Sequence, residues 1–416
     1  MGSKRVPEVR FRGFSGEWKK YQLGDLSKIR RGASPRPIQD PKWFDDKSDV
    51  GWLRISDVTE QNGLIHFVEQ HISKEGQRKT LVLNEPHLIL SIAATVGKPV
   101  INYIKTGIHD GFIVFLEPSF SIEFMFQWLE MFRPQWQKYG QPGSQVNINS
   151  ELVRVQQISL PSLDEQEVIS DFFKQLDEII AFQQQELDTL KQTKKGFLQK
   201  MFPKEGESIP EIRFPRFSGE WEERNFFDNI NSVIDFRGRT PKKLGLDWSK
   251  SGYLALSALN VKNGYIDLNV DAYYGDEELY NKWMGDKKLK QGQVLFTTEA
   301  PMGNVAQVPD DKGYILSQRT IAFDVDDAKI TNDFLSILLR SPIVINELYS
   351  MSSGGTAKGV SQKSLSKLKI VVPKSLEEQI QIGNFFKQLH RTIVLYEQEL
   401  DILKQTKKAF LQKMFV

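Results

Sequence analysis

Apolar residues recur at alternating intervals of four and three in two stretches of this chain. Residues 172–202 read FFKQLDEIIAFQQQELDTLKQTKKGFLQKMF, and residues 385–415 read FFKQLHRTIVLYEQELDILKQTKKAFLQKMF, an offset of 213 positions (385 minus 172). This heptad spacing is typical of a helix that lies along another helix. The residues expected to form the seam between the helices are Phe173, Leu176, Ile180, Gln183, Leu187 and Leu190 in the first copy, and Phe386, Leu389, Ile393, Tyr396, Leu400 and Leu403 in the second.

Both helices begin with the same signal. Ser162 and Glu165 fit the capping-box pattern, in which the Ser accepts from the third helical N–H and the Glu reaches back to the N-cap N–H. Ser375 and Glu378 repeat that pattern in the second copy, and Pro203 is expected to end the first helix. Each helix is therefore predicted to contain roughly 38 residues and to be about 57 Å long.

The two helices are predicted to pack against each other. A lone helix of this kind leaves Leu, Ile and Phe side chains in water, and burial of each stabilises the fold by about 1.5–3 kcal/mol. An intramolecular antiparallel coiled coil buries both stripes, and Gln183 and Tyr396 are expected to meet near mid-helix and fix the register. The alternative is that each helix packs only on its own globular neighbour.

The repeat extends beyond the helices. Residues 7–18, PEVRFRGFSGEW, return as residues 210–221, PEIRFPRFSGEW, and RGASP at 31–35 returns as RGRTP at 237–241. Between these anchors the two copies differ far more than the helices do. A constant scaffold with divergent domains suggests that the two domains do the same job on different targets.

Each domain combines short apolar strands with turns and a late helix. The fold class predicted is α+β, with two β-rich domains separated by two long helices in an internal pseudo-twofold repeat. Hairpins are expected at Asn62-Gly63 and Asn263-Gly264. The predicted strands are Val50–Ile55, Leu88–Ile92, Ile113–Leu116, Val294–Thr298 and Thr320–Asp324, and the predicted late helices are Ile122–Phe132 and Asn332–Leu339. The predicted boundaries are 1–160 for the first domain, 161–202 for the first long helix, 203–215 for a linker, 216–372 for the second domain and 373–416 for the second long helix.

Composition excludes several classes of protein. The 416 residues carry a net charge of +2, so any basic surface must be local. The chain contains no cysteine, which excludes disulfides and thiolate metal sites, and its five histidines lack metal-ligand spacing. It shows neither a signal-peptide core nor a run of about 20 apolar residues. We therefore expect a cytoplasmic protein without membrane contact.

Sequence motifs of catalysis are also missing. The chain has no GxxxxGK[ST] phosphate loop and no GxGxxG motif, and acid pairs such as Asp45-Asp46 are expected to be solvated loop charges. We therefore expect a chain that is not an enzyme and that binds no cofactor or metal of its own.

Polar and basic loops fit binding chemistry better. An RG-x-[ST]-P turn occurs in each copy, and its Arg side chains can pair with phosphates or read guanine bidentately. A Gly-rich polar loop precedes each long helix, where Gly allows close backbone approach and Gln or Asn can pair with adenine. A third pair of candidates is the turns Ala93–Lys98 and Glu299–Asn304, where Glu299 could accept from cytosine. The alternative is solvated surface for the basic turns and a plain connector for the Gly-rich loops. The candidate nucleic-acid contacts are Lys28, Arg30, Arg31, Ser34 and Arg36 with Lys138, Gln141, Ser144, Gln145 and Asn147 in the first domain, and Arg237, Arg239, Lys242 and Lys243 with Thr356, Lys358, Ser361, Gln362 and Lys363 in the second.

In this twofold order of motifs the chain resembles the specificity subunit of type I restriction–modification systems. The resemblance covers essentially all 416 residues. It rests on the L-[DE]-E-Q helix starts at 163–166 and 376–379, the repeated helices and the RG-x-[ST]-P turns. It also rests on the apolar strand and Pro before each helix, ISLP at 158–161 and IVVP at 370–373.

The resemblance implies two target-recognition domains, each reading one half of a bipartite sequence in double-stranded DNA. It implies that the helices set the spacer between the half-sites and dock two modification (methyltransferase) subunits, which methylate adenine with S-adenosylmethionine. It also implies restriction (translocase–nuclease) subunits that use ATP and Mg, while this chain is non-catalytic. The rival hypothesis is a coiled-coil adaptor with two binding domains that does not bind DNA, which explains the helices but not the paired basic turns.

Overall fold

The structure, a computed structural model, describes residues 6–136, 138, 148–353 and 358–416. The chain divides into two compact units. Unit 1 comprises the residues up to 184 together with 398–416, and unit 2 comprises residues 185–397. Unit 1 is therefore discontinuous in sequence, and each unit contains a segment of both long helices.

Short strands and helices precede each of the two long helices along the chain. The strands are Lys19–Gln22 (β1), Lys28–Arg31 (β2), Gly51–Trp52 (β3), Leu64–Ile65 (β4), Leu81–Leu83 (β5), Leu88–Ser91 (β6), Pro99–Asn102 (β7), Thr106–Ile108 (β8), Phe112–Leu116 (β9), Gln157–Leu160 (β10), Glu222–Asn225 (β11), Ile230–Asp235 (β12), Tyr253–Leu256 (β13), Tyr274–Gly275 (β14), Val294–Thr297 (β15), Val305–Gln307 (β16), Tyr314–Leu316 (β17), Thr320–Val325 (β18) and Lys369–Val372 (β19). The α-helices are Leu23–Leu26 (α1), Ile55–Glu60 (α2), Lys74–Gln77 (α3), Ile122–Trp136 (α4), Ser150–Arg154 (α5), Leu163–Lys200 (α6), Glu277–Met284 (α7), Asn332–Leu338 (α8), Pro342–Ser350 (α9), Gln362–Leu365 (α10) and Leu376–Met414 (α11). Short 3-10 turns occupy Pro41–Trp43, Phe226–Asn229 and Pro241–Leu244.

The two units share one sheet plan. The main sheet has the strand order β2-β9-β6-β7-β4 in unit 1 and β12-β18-β15-β16 in unit 2. A smaller sheet has the order β3-β8-β5 in unit 1 and β14-β13-β17 in unit 2, and each contains a parallel pair, β3–β8 or β13–β17. An antiparallel ribbon, β1–β10 or β11–β19, precedes each long helix. The predicted α+β class with an internal repeat is confirmed.

The central strand of each main sheet is buried on both faces, because successive side chains point to opposite sides. In unit 1, Leu88 and Leu90 pack with Phe124 of α4, whereas Ile89 packs in the cluster that contains residues of the smaller sheet. In unit 2, Phe296 packs with Phe334 of α8, and Leu295 faces the other cluster. Each unit is therefore a layered domain of helix, main sheet and smaller sheet.

The long helices α6 and α11 contain 38 and 39 residues. In unit 1, Phe172 contacts Phe410 with ring centroids 5.0 Å apart, and Gln183 Nε2 donates to Glu399 Oε2 at 2.8 Å, and not to Tyr396 as expected. Later residues of α6 therefore contact earlier residues of α11, so the two segments are antiparallel.

Unit 2 shows the same arrangement. Lys191 pairs with Glu397 at 2.7 Å, and the rings of Phe197 and Phe385 lie 5.0 Å apart. The predicted intramolecular antiparallel helix pair is confirmed, and all twelve predicted seam positions are buried or half-buried.

The helices also pack on the domains, and each does so at both of its ends. In unit 1, Phe173 near the start of α6 and Phe415 just after α11 enter the core beside Trp18. In unit 2, Phe202 just after α6 enters the core beside Trp221. Each helix therefore belongs to the cores of both units, and not only to that of its neighbour in sequence.

In each predicted capping box, only the hydrogen bond to the Ser side chain forms. Ser162 Oγ accepts from the N–H of Glu165 at 3.4 Å, and Ser375 Oγ accepts from that of Glu378 at 3.4 Å. The carboxylates do not reach back, because arginines from the segments that precede the domains bind them. Arg10 donates to Glu165 at 2.7 Å, and Arg213 donates to Glu378 at 2.6 Å.

Two further predictions were wrong in detail. The strand predicted at Val50–Ile55 is confined to Gly51–Trp52, and Ile55 begins helix α2 instead. The Asn62-Gly63 turn is not a hairpin, because it connects α2 to a strand that pairs in parallel with β7. The hairpin at Asn263-Gly264 does form, closed by an antiparallel bridge between Val261 and Ile266.

Among the described residues, none of the helices combines the length and the apolar character required to cross a lipid bilayer.

Candidate nucleic-acid interface

The basic turn of unit 1 is organised by one carboxylate. Strand β2 leads into the turn, and Asp110 reaches it from the loop between β8 and β9. Ser34 Oγ donates to Asp110 Oδ1 at 2.8 Å, and Arg36 Nη2 lies 2.6 Å from Asp110 Oδ2. Arg31 Nε donates to the backbone carbonyl of Asp110 at 2.6 Å. Three of the five residues predicted in this turn therefore share one partner.

The turn remains open to an anionic ligand. Burial raises the pKa of Asp110, but the hydrogen bond from Ser34 and the charges of Arg36 and His109 outweigh it and lower that pKa below its usual value. The carboxylate therefore stays ionised at neutral pH and fixes the arginine. The Arg36 side chain is still 73% exposed, so its remaining N–H groups can donate to a phosphate or a base edge.

In unit 2, one carboxylate joins two of the predicted loops. Asp235 ends β12 and pairs with Arg237 at 3.4 Å. Its second interaction is with Gln362, whose Nε2 donates to Asp235 Oδ2 at 2.9 Å. The RG-x-[ST]-P turn and the loop before α11 therefore meet, although 127 residues separate the two side chains.

Gln318 occupies in unit 2 the position of Asp110 in unit 1. Each lies five residues before a phenylalanine of the main sheet (115 minus 110; 323 minus 318), and these phenylalanines, Phe115 and Phe323, pair with equivalent positions of β6 and β15. Gln318 Nε2 donates to the carbonyl of Arg239, in the basic turn, at 3.2 Å. At this position an acid in unit 1 accepts hydrogen bonds from side chains of the basic turn, whereas an amide in unit 2 donates one to its backbone.

The third predicted candidate in unit 2 adjoins the other two. Glu299 forms an antiparallel bridge with Gly359 of the loop before α11, and Arg319 Nε lies 3.3 Å from Glu299 Oε1. Arg319 has a φ of 66° and Ala300 a φ of 50°, both in the left-handed region that non-glycine residues rarely adopt. Such conformations cluster at ligand sites.

The basic turn of unit 2 and the segment 317–319 line a cleft together with aromatic side chains. Trp248 stacks on Tyr273 with ring centroids 5.4 Å apart, and Tyr273 is 62% exposed. Nucleic-acid bases stack on exposed aromatic rings, and Arg side chains donate hydrogen bonds to phosphates and base edges. The polar and aromatic residues that line the cleft are Arg239, Thr240, Lys242, Asp247, Trp248, Ser257, Tyr273, Trp283, Ser317, Gln318 and Arg319.

The other predicted residues are placed as follows. Lys28 pairs with Glu117 at 2.6 Å, Arg30 is exposed, and Lys138 is exposed. Arg239 stacks over Phe236 at 4.4 Å and donates to the carbonyl of Trp283, so it is held within the domain. Lys243 donates to the carbonyl of Gly238, Ser361 caps α10, and Lys242, Lys358 and Lys363 are exposed. Gln141, Ser144, Gln145, Asn147 and Thr356 lie outside the described residues.

Asp110, Asp235, Gln318 and Arg319 were missed by sequence reasoning. Asp235 is two residues from Arg237, and the recurrence of the basic turn could have drawn attention to it. Asp110 and Gln318 carry no local signal, because their role depends on strand pairing across more than 70 residues. In the part of the chain that the structure describes, no cluster of three or more His, Asp or Glu side chains is arranged to hold a metal ion.

Comparison with protein families identifies two matching regions. The model of the type I restriction modification DNA specificity domain matches residues 15–192 and again residues 219–405. The two matches follow the internal repeat, and together they cover most of the chain.

Curated relatives and solved structures agree with this match. The chain is 23% identical to the type I restriction enzyme MjaVIII specificity subunit of Methanocaldococcus jannaschii, over 99% of this chain and 93% of that protein. Its fold is similar to that of the type I restriction–modification S subunit from M. genitalium, with a TM-score of 0.62, 12% identity and 99% of each chain covered. A chain from a solved type I system, described for its complex assembly and conformational transition, matches with a TM-score of 0.55 and 15% identity over 96% of this chain and 97% of that one.

Proposed function

This chain belongs to the family of type I restriction–modification DNA specificity domains, and on that premise we propose that it is the sequence-reading subunit of a type I complex. Each unit reads one half of a bipartite target in double-stranded DNA. The observation that carries the proposal is the convergence of separate loops onto one basic surface in each unit. Loops that diverge between two otherwise repeated units give the complex two different half-sites.

The surfaces of the two units suit DNA in different ways. The turn of unit 1 presents Arg36, held by a carboxylate that remains ionised. The cleft of unit 2 combines Lys242 and Arg319 with a stacked Trp248–Tyr273 pair. Cations fix a protein on the phosphate backbone, whereas bidentate and stacking contacts to bases carry sequence information.

The long helices offer docking positions for two identical partner subunits. Phe182 on α6 is 63% exposed and Leu395 on α11 is 50% exposed. These two residues are equivalent in the repeat (395 minus 182 is 213), so each helix presents the same kind of apolar position to solvent. Because the two positions are equivalent, two copies of one partner can make the same contact on each helix.

The chemistry of the complex belongs, in this proposal, to the partners. Two modification subunits use S-adenosylmethionine to methylate adenine, and restriction subunits use ATP and Mg for translocation and cleavage. This chain contributes the choice of DNA sequence and, through its helices, the spacer between the half-sites. The alternative, a coiled-coil adaptor that ignores DNA, predicts no sequence preference in any complex.

Methylation mapping tests the proposal. The chain is co-expressed with its modification subunit in a host free of adenine methylation, and methylated sites are mapped across the genome by single-molecule sequencing. We expect one motif with two specified halves and an unspecified spacer. Arg36→Ala in unit 1 should weaken or relax only one half, and Gln318→Ala combined with Arg319→Ala in unit 2 should act only on the other.

Lys105→Ala is the matched control, because Lys105 is an exposed cation of unit 1 that pairs with Asp49 away from the basic turn. This variant should leave the motif unchanged. Methylation that is independent of the chain, or variants of both units that change the same half, would contradict the proposal.

A further inference from the structure

Unit 2 contains three basic side chains, from three elements, whose charges act on one another. Lys194 lies on α6, Arg340 follows α8, and His390 lies on α11. None of these residues belongs to the surfaces described above. We call this group the basic cluster.

The internal repeat shows what stands at the same positions in unit 1. Lys194 corresponds to Lys407 (407 minus 194 is 213), and His390 corresponds to Asp177 (390 minus 177 is 213). In unit 1, Lys407 Nζ lies 2.5 Å from Asp177 Oδ1, so a cation there meets a carboxylate inside the chain. In unit 2 the carboxylate is replaced by an imidazole.

The third member of the cluster shows the same reversal of charge. Arg340 lies nine residues after Thr331, the N-cap of α8, and Glu130 lies nine residues after Ser121 at the start of α4 (340 minus 331; 130 minus 121). Glu130 forms an ion pair with Lys98 in unit 1. Unit 2 therefore has bases at both positions where unit 1 has acids.

Within the described residues, the acid whose charge acts on Lys194 and His390 is Glu397, and the cluster has no carboxylate of its own. Arg340 Nε donates to the carbonyl of Ser336. Arg340 Nη1 lies against Gly264, so close that any side chain at position 264 would clash with it. The Nδ1 atom of His390 is buried without a hydrogen-bond partner. The acid that acts on the cluster, Glu397 of α11, is already paired with Lys191 of α6 at 2.7 Å.

The pKa values of the cluster reflect this arrangement. Burial, followed by the charge of Arg340, lowers the pKa of Lys194 to about 8. Burial also lowers the pKa of Arg340 to about 10, and burial with the charges of Lys194 and Arg340 lowers the pKa of His390. Like charges held together in a partly desolvated place are costly unless an anion joins them.

We propose that the basic cluster of unit 2 is a binding site for a phosphate group. Two cations, one a planar guanidinium and one an ammonium, together with an imidazole N–H, match an oxyanion with two negative charges and several acceptor oxygens. A dianion neutralises both cations, which a single carboxylate does not. Unit 1 has no need of such a ligand, because its own Asp177 and Glu130 supply the negative charges.

Binding of inorganic phosphate to the full chain tests the site. Isothermal titration calorimetry at pH 7 and constant ionic strength, with chloride as the balancing anion, compares the wild-type chain with His390→Asp. This substitution installs the carboxylate that unit 1 already has, so the variant should fold and should be more stable than the wild type. We expect its affinity for phosphate to fall at least tenfold.

Lys195→Gln is the matched control. It removes one positive charge from an exposed neighbour of Lys194, and phosphate affinity should remain within twofold of the wild-type value. Equal affinity in the wild type and His390→Asp, or no measurable phosphate binding by the wild type, would overturn the proposal.

Competing anions identify the source of the phosphate. Adenosine monophosphate that binds more tightly than inorganic phosphate would support the site as one for a nucleotide, and equal affinities would support a site for free phosphate. Acetate that displaces phosphate at equal concentration would overturn the assignment, because the cluster would then accept a carboxylate such as an acidic side chain of a partner.

A second readout is the dependence of stability on pH. Because the pKa of Lys194 is lowered in the folded chain, the unfolded chain binds more protons above about pH 8, and the free energy of unfolding should rise from there towards pH 10.5, the ordinary pKa of lysine. The charged or titratable groups that face Lys194 are Arg340, His390, Glu397 and Lys191. Saturating phosphate should flatten this rise, and His390→Asp should remove it without phosphate.

Discussion

Two buried arginine–glutamate pairs fasten the segment before each domain to the start of a long helix. Arg10 donates to both carboxylate oxygens of Glu165 at 2.7 Å, and Arg213 does the same to Glu378 at 2.6 and 2.7 Å. The glutamate side chains are only 2% and 1% exposed. A buried charge is tolerated only while its partner remains in place, so loss of either arginine should be costly.

We expect Arg10→Ala to destabilise unit 1 by about 3–5 kcal/mol, because it leaves Glu165 buried without a cation. Urea unfolding followed by tryptophan fluorescence measures the change, and Arg213→Ala should give a similar loss in unit 2. Lys105→Ala, which breaks an exposed pair, should leave the free energy of unfolding close to the wild-type value. An equally small change in Arg10→Ala would show that the buried pair contributes no more than a surface contact.

The glutamates also show the limit of residue-level reasoning. The S-x-x-E pattern correctly located both helix starts, because capping by Ser depends on residues three positions apart. It misassigned the carboxylates, because their arginines lie 155 and 165 residues away in sequence. A local sequence rule identifies groups that require a hydrogen-bond partner, but the tertiary fold determines which residue is that partner.

At the scale of elements, the helix pair was the most predictable part of the structure. Heptad spacing is a property of one helix, and duplication in the same chain supplied the partner. The exposed residues Phe182 and Leu395 were not singled out, because the seam alone does not show which of the remaining apolar residues stay in solvent. Their equal positions in the repeat lead to the next prediction.

Phe182→Glu and Leu395→Glu should each abolish binding of one modification subunit, because a carboxylate replaces an apolar contact at one of two equivalent sites. Native mass spectrometry of the co-purified complex should show two modification subunits with the wild type, one with either variant and none with both substitutions. Leu268→Glu, at a residue 64% exposed outside the helices, is the control and should retain two. Full retention in the double variant would place docking elsewhere.

Lengthening both helices should change the spacer and not the half-sites. Seven residues inserted between Gln184 and Gln185, and seven between Glu397 and Gln398, keep the heptad pattern and add about 10.5 Å to each helix. At about 3.4 Å per base pair, the unspecified spacer should lengthen by up to about three base pairs. Methylation mapping measures it, and an unchanged spacer would show that the helices do not set the distance.

At the scale of the whole chain, sequence order and spatial grouping diverge. The prediction of two domains with two helices matched the order of elements, but residues 398–416 group with unit 1 and residues 185–200 of α6 with unit 2. The candidate surfaces are also assembled from distant segments, such as Arg36 with Asp110 and Arg237 with Gln362. Basic and Gly-rich loops were visible in the sequence, whereas the residues that join them depend on strand pairing.

Phe415→Ala should destabilise unit 1 by about 3–5 kcal/mol and leave unit 2 unaffected. The Phe415 ring packs among Trp18, Phe124 and Phe173. Hydrogen exchange resolved by peptide should accelerate in residues 6–136 and not in 215–372. Phe202→Ala is the matched variant and should show the reverse pattern, because Phe202 packs with Trp221 and Phe386 in unit 2. Equal acceleration in both units would contradict this assignment.

The discontinuity of unit 1 has a consequence for synthesis on the ribosome. Unit 2 is made from one uninterrupted run of chain, residues 185–397, and needs no later segment. Unit 1 is translated first, yet Phe173 and Trp18 keep an uncovered apolar surface until residues 398–416 arrive. Although it is translated first, unit 1 therefore cannot complete its core until residues that follow the whole of unit 2 are available.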